Sequence, residues 1–421
     1  MINLNFSSKG TFFQSFRQLF LGNVFSQLIA IAFSPILTRI FDPASFGIYA
    51  LFISIITILG AFISMRLEGA VVLAKTNRIA VDVFTLGISF LAFWFCIFQI
   101  LIYFANQLLS IETLNLLANY SYFIPITAVL IGLMLLIDGW LNKKGKFLFI
   151  SNLQILHATS TAICSITIGL YYASINGLII GAFAAFLLTS IIGLMVCGNE
   201  FWSNLRFPTI KSLKKTLKDF KNFPLYSTPA NLCGVFSVQS FYIFAGIIYG
   251  EVILGFLYLL NRIVSIPSST ISMNVGKVYF KYLSDNRPKK TYKNSILLLL
   301  AMLALSAVIS IILYIFLFSY IGRIFGSEWS DAENYLVYFI FLGAVNFIYS
   351  PFSFIYLYLG IQKYELIWQF STLFTSLLIY AITFFFKLSI DAFLILFVGK
   401  QACLNILSNI YVLYRLKEKK S

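Results

Sequence analysis

Arg262 and Lys400 sit near the middle of long apolar segments, whereas almost all other basic residues fall in the loops between such segments. A cation at the centre of hydrocarbon costs about 2.5–3.5 kcal/mol on insertion scales, and it survives where it faces a protein interior, water or an anion. Two of them imply a polar path through a membrane for something negatively charged.

Arg262, Ser265, Ser269, Ser272 and Gly276 recur every three or four positions, which puts them on one helix face. In lipid such a face must meet protein or water. Pro267 falls within the same segment, where it removes a backbone hydrogen bond and favours a bend. A bent helix with a polar face suits a cavity that changes shape. Serines that only bond backbone carbonyls, or that admit a neighbouring helix, would leave the same pattern.

Lys400, Gln401, Asn405 and Ser408 form a second polar series at helical spacing. The long lysine stem also allows snorkelling towards a surface. Gln18, Gly22, Ser26, Ala30 and Ser34 make a ridge of small and polar residues suited to close packing, with Arg17 below it as guard of a polar mouth or as interfacial anchor. The run 222–231 contains Pro224 and Pro229 and predicts an irregular entry to the membrane, ending on Asn231. The candidate ligand-binding residues are thus Arg262, Lys400, Arg17, Ser265, Ser269, Asn231 and Gln401. Asp138 and His157 are the titratable pair available for proton coupling.

The elements that must position these residues follow from composition. The 421 residues are 60% hydrophobic and 11% charged, against about 25% charged in soluble domains. Twelve apolar runs, numbered as spans one to twelve, are long enough to cross about 30 Å of hydrocarbon as helix: 18–38, 46–65, 83–104, 117–137, 148–171, 177–197, 223–248, 252–275, 295–318, 334–357, 365–386 and 391–414. The first run is too long for the core of a signal peptide and another span follows it, so it reads as a retained helix. The expected fold is an all-α polytopic membrane protein, with about twelve transmembrane helices in two pseudo-symmetric six-helix bundles around a central cavity.

Alternate loops carry 25 basic residues on one side and 3 on the other, which predicts that both termini are cytoplasmic. The same asymmetry accounts for the +15 net charge through contact with anionic lipid, so no nucleic-acid partner is implied. Five cysteines without metal-type spacing and a single histidine leave no metal cluster. Without a Gly-rich phosphate loop or a His-containing triad, no enzyme and no cofactor is expected. The acidic turn with Glu328, Asp331 and Glu333 suits a cation or ordinary solvation.

The long basic loop at 198–222 divides the chain into two expected bundles, residues 1–210 and 211–421. An offset of 208 aligns Asn23 with Asn231, Gly47 with Gly255, Leu51 with Leu259, and Ser64-Met65 with Ser272-Met273. Six spans per repeat preserve orientation, so this is a parallel repeat whose halves can rock against one another.

Three stretches complete the sequence reading: LTRIFDPASFGIY at 37–49, MRLEGAVVL at 65–73 and LGFLYLLNRIVSIP at 254–267. With twelve spans in two halves, the chain resembles over its whole length the polysaccharide-repeat flippases of the multidrug/oligosaccharidyl-lipid/polysaccharide exporter superfamily, the O-antigen or capsular-repeat translocases. The resemblance implies movement of an undecaprenyl-pyrophosphate-linked oligosaccharide from the cytoplasmic to the periplasmic leaflet of a bacterial inner membrane, with a polysaccharide polymerase and a chain-length regulator as further partners. It puts Arg262 at a matching position in the family's cationic cavity; Lys400 falls in no matched motif and rests on its burial. A drug or cation antiporter of the same superfamily would favour buried carboxylates over cations. A membrane polysaccharide polymerase or lipid-linked glycosyltransferase usually carries a long periplasmic loop, which this chain lacks.

Overall fold

A computed structural model describes residues 9–108, 120–171, 176–205, 209–286, 291–359 and 361–418. Helices dominate these residues and no strand occurs among them, as hydrocarbon requires of a chain that must satisfy its own amides. Eleven stretches of the described residues are long and apolar enough to cross a membrane. One of them, Phe223–Phe280, has 58 residues, far more than the roughly 20 that a crossing needs. It turns back at Gly250, whose φ of 83° and ψ of 174° suit a residue without Cβ. Spans seven and eight therefore meet at Gly250, and with that stretch divided the eleven stretches among the described residues supply twelve crossings. The chain is a multi-pass membrane protein.

The chain forms two compact units, Met1–Phe33 with Phe52–Val235, and Ser34–Leu51 with Phe236–Ser421. In the first unit, the fully buried Trp140 donates its Nε1–H to the Cys197 carbonyl at 3.2 Å and meets Phe201 edge-on. Span one packs closely on span five: a Cβ on Gly22 would lie 2.4 Å from that of Ser151, and Ser151 Oγ donates to the Gln18 carbonyl at 2.8 Å. The small-residue ridge of span one thus serves helix packing at Gly22. Past span two the chain turns through two left-handed residues, Met65 (φ 51°) and Arg66 (φ 57°). Ser64 Oγ donates to Glu68 Oε2 at 2.9 Å across this corner, and Arg66 lies 3.3 Å from Glu68 Oε1.

Short helices Leu67–Leu73, Asn199–Asn204 and Ile210–Asp219 lie among the spans of this unit. Glu200, outside the spans, accepts from Lys144 and Asn77. The Lys144 hydrogen bond is the main reason its carboxyl is held below the usual range.

In the second unit, the corner where spans one and two meet packs against the corner of spans seven and eight. A Cβ on Gly47 would stand 1.9 Å from the Glu251 carbonyl oxygen, and one on Gly255 would stand 1.9 Å from the Pro43 carbonyl oxygen. The contact is reciprocal: 43 and 47 are related to 251 and 255 by the offset of 208 that aligns the halves. Two copies of one corner meet as equivalent surfaces do across a two-fold axis. Trp329 closes the contact, donating Nε1–H to the Thr38 carbonyl at 2.9 Å and meeting Phe46 edge-on at 5.0 Å.

Both backbones at this contact are fixed, so Gly47→Ala and Gly255→Ala should each destabilise by about 1–3 kcal/mol or more. Gly399 has no neighbour within 4 Å of the added Cβ, and Gly399→Ala should leave stability unchanged or slightly raised. Thermal unfolding of the three purified variants in detergent checks the contrast.

Candidate functional site

Arg262 occupies a widened turn. Residues Asn261–Ser265 form a π-helical turn in which the Ile266 N–H bonds the Asn261 carbonyl, five residues back. The cause is the next residue: Pro267 has no N–H for the carbonyl four residues before it, so the ladder shifts by one. The same event precedes Pro229, where Phe223–Ser227 is π-helical and the Thr228 N–H bonds the Phe223 carbonyl. The two irregularities read from the prolines thus take one form.

The half-buried Arg262 guanidinium lies within electrostatic reach of the hydroxyls of Tyr49 and Tyr258. The Tyr258 ring stands edge-on to Tyr49 at 5.9 Å and to Tyr242 at 5.8 Å, and Tyr242 is hydrogen-bonded to Asn261. Ser265 is buried with no partner for its Oγ. Further along the stripe the serines serve packing: Ser272 Oγ donates to the Phe347 carbonyl of span ten, and Gly276 lies against Pro351 and Phe354 of that span. The Ser269 side chain lies outside the described residues.

Lys400, in the helix Ile390–Glu418, donates from Nζ to Ser376 Oγ at 2.8 Å and stands 4.4 Å from the centre of the Phe397 ring. Ser376 also bonds the Tyr380 hydroxyl, which lies 3.2 Å from Ser240 Oγ of span seven. Among the described residues no carboxylate pairs with Lys400. Gln401 Nε2 donates to Asn405 Oδ1 at 3.1 Å, and Asn405 Nδ2 donates to Asn346 Oδ1 of span ten at 3.3 Å.

A run of rings joins the two cationic positions within this unit. Tyr258 meets Tyr242, Tyr242 meets Phe241 at 5.3 Å, Phe241 meets Phe397 at 4.6 Å, and Phe397 lies under Lys400. Sequence reasoning found both cations and missed this wall. Ser376 and Tyr380, four residues apart on one face of an apolar helix, were the available signal.

The remaining candidates belong to the other unit. Arg17 is exposed, and Asn231 Nδ2 donates to the Ala61 carbonyl at 3.4 Å. Asp138 is half-buried in span four. His157 is hydrogen-bonded to the Ala185 backbone, 4.3 Å from the Phe186 ring, and its Nδ1 is buried without a partner. Among the described residues no hydrogen bond or ion pair joins Asp138 to His157.

The sequence from residue 36 to 334 matches the family model described as polysaccharide biosynthesis protein. The chain belongs to this family. A search of curated proteins finds no match. Among solved structures, the fold is similar to the lipid II flippase MurJ in an inward closed conformation, with a TM-score of 0.73 and 15% identity over 95% of this chain and 87% of that one. It is also similar to an inward-facing MATE-family multidrug resistance transporter of the MOP superfamily, with a TM-score of 0.62 and 15% identity over 94% and 95% of the two chains. A third likeness is to a MOP-superfamily transporter from Pyrococcus furiosus, with a TM-score of 0.53 and 15% identity over 99% of each chain. At these identities the likeness is one of fold.

Ser376→Ala removes the hydroxyl that accepts from a half-buried ammonium and should cost about 1–3 kcal/mol. Lys400→Met added to it removes the stranded charge, so the double variant should be more stable than Ser376→Ala alone. Thermal unfolding of the single and double variants measures this coupling, and simple additivity would contradict it.

Proposed function

We propose that the chain is a flippase carrying undecaprenyl-pyrophosphate-linked oligosaccharide repeat units from the cytoplasmic to the periplasmic leaflet of a bacterial inner membrane, for O-antigen or capsule synthesis. The observation that carries this reading is Lys400, an ammonium inside a span whose partners, Ser376 and the Phe397 ring, are neutral. A charge so held is completed by an anion. Pyrophosphate accepts charge-assisted hydrogen bonds from both ammonium and guanidinium, and Arg262 supplies the second cation. Membership of the polysaccharide biosynthesis family and the MurJ-like fold support the substrate class.

A polar head group is what needs a carrier. One unpaired hydroxyl costs about 4–8 kcal/mol to move from water into alkane, so several sugars face a prohibitive barrier in bare lipid. In this reading the polyprenyl tail stays in lipid while the head enters the protein, and Tyr49, Tyr242 and Tyr258 offer the sugar both hydroxyls and ring faces. Residues 1–210 and 211–421 rock as two bundles to expose the site to alternate sides. Ser265, Ser269, Gln401, Asn231 and Arg17 complete the proposed contacts, and Asp138 and His157 are the groups proposed for coupling. Both termini are cytoplasmic, no bond is made or broken, and a polymerase and chain-length regulator act on the delivered units.

In a strain lacking the chromosomal gene, wild-type protein should restore surface polysaccharide. Arg262→Ala and Lys400→Ala, at normal expression, should reduce it at least tenfold and leave lipid-linked repeat units accessible only from the cytoplasmic face, whereas Lys400→Arg should retain most activity. Full translocation by Lys400→Ala would refute the assignment.

A further inference from the structure

The first unit contains a wholly apolar groove of about 510 Å³ between spans three, four and six and the short helix Asn199–Asn204. Phe84, Ile88, Leu91 and Phe95 of span three line one wall, and Trp202 and Leu205 bound it on the side of the basic loops. Ile88, Ala92 and Trp202 are exposed, so the groove opens on the outer surface of the unit. From Phe84 to Phe95 it follows eleven residues of helix, about 17 Å at 1.5 Å per residue. That is about half the 30 Å hydrocarbon thickness, the depth of one leaflet.

Directly after this groove in sequence, the helix Ile210–Asp219 packs against span three. Leu213 and Leu217 face the core of the unit, and Lys211, Lys214, Lys215 and Lys218 are all exposed on the opposite face. Asp219 is the only acid on this helix. Glu200, the acid beside the groove, is already engaged by Lys144. A tryptophan at the interface, an apolar slot one leaflet deep and a row of uncompensated lysines beside it match the three parts of an anionic lipid.

We propose that this groove and the lysine face of helix 210–219 form a binding site for an anionic glycerophospholipid of the leaflet on the basic side, an acyl chain filling the slot and the phosphate meeting the lysines. The slot's depth favours an acyl chain over a polyprenyl chain, which is several times longer. The site is independent of whatever the protein transports. Its occupancy would hold the helices Asn199–Asn204 and Ile210–Asp219 on the membrane surface.

The test is lipid retention by the full-length protein reconstituted in an equal mixture of phosphatidylglycerol and phosphatidylcholine, read by native mass spectrometry after extraction. Wild-type protein should retain phosphatidylglycerol in preference to phosphatidylcholine by about tenfold. Ala92→Trp, which fills the groove from its exposed side, should abolish that preference. So should the combined Lys211→Gln, Lys214→Gln, Lys215→Gln and Lys218→Gln, all on an exposed face whose loss leaves the core intact. Lys400→Ala should retain phosphatidylglycerol as wild type does, which separates this site from the proposed transport site. Equal retention of the two lipids by wild type, unchanged retention by both groove and lysine variants, or one-for-one displacement by added undecaprenyl pyrophosphate would each overturn the proposal.

Discussion

An ammonium taken out of water must be given other dipoles, and hydrocarbon has none. Much of the second unit can be understood as the answer to that requirement at Lys400. Its Nζ meets the Ser376 hydroxyl and the face of Phe397, and these in turn are fixed by Tyr380, Ser240 and Phe241. Spans seven, eleven and twelve are thereby tied by one polar chain and one aromatic wall. None of these partners cancels the charge. The arrangement stabilises a cation while leaving it able to attract an anion, which a carboxylate partner would not do.

The same scarcity of dipoles governs the backbone. A proline in a span leaves one carbonyl without its usual donor, and the chain answers twice by shifting to bonds five residues apart before Pro229 and Pro267. At the second of these the widened turn carries Arg262 towards Tyr49 and Tyr258. Where two span corners must approach closely, side chains are dispensed with: Gly47 and Gly255 each admit a carbonyl of the other corner. The reciprocity of that contact gives the sequence offset of 208 a physical basis.

Sequence alone revealed the crossings because hydrocarbon thickness sets their length, and it located the turn at Gly250 to within a few residues. It also singled out Arg262 and Lys400, since charge in a span is rare. It could not choose between lining and packing for the serines of span eight, because a serine in lipid finds a carbonyl either way. Ser272 bonds Phe347 and Ser268 bonds its own helix at Val264, whereas Ser265 keeps a buried hydroxyl without partner. Ser376 and Asn346 were missed because their importance lies in contacts across helices, which spacing along one helix does not encode. The amphipathic helix 210–219 hides within the basic loop 198–222: its apolar residues, Ile210, Leu213 and Leu217, keep helical spacing but are outnumbered by four lysines and too few to make a span.

The central claim is that charge at Lys400 exists to meet a phosphorylated lipid. The most direct test is the affinity of the purified protein in nanodiscs for undecaprenyl pyrophosphate bearing no sugar, compared between wild type, Lys400→Arg and Lys400→Met. Affinity that falls at least tenfold for Lys400→Met and survives in Lys400→Arg, with the difference shrinking as salt rises, is the predicted result. Equal binding by wild type and Lys400→Met would contradict the account.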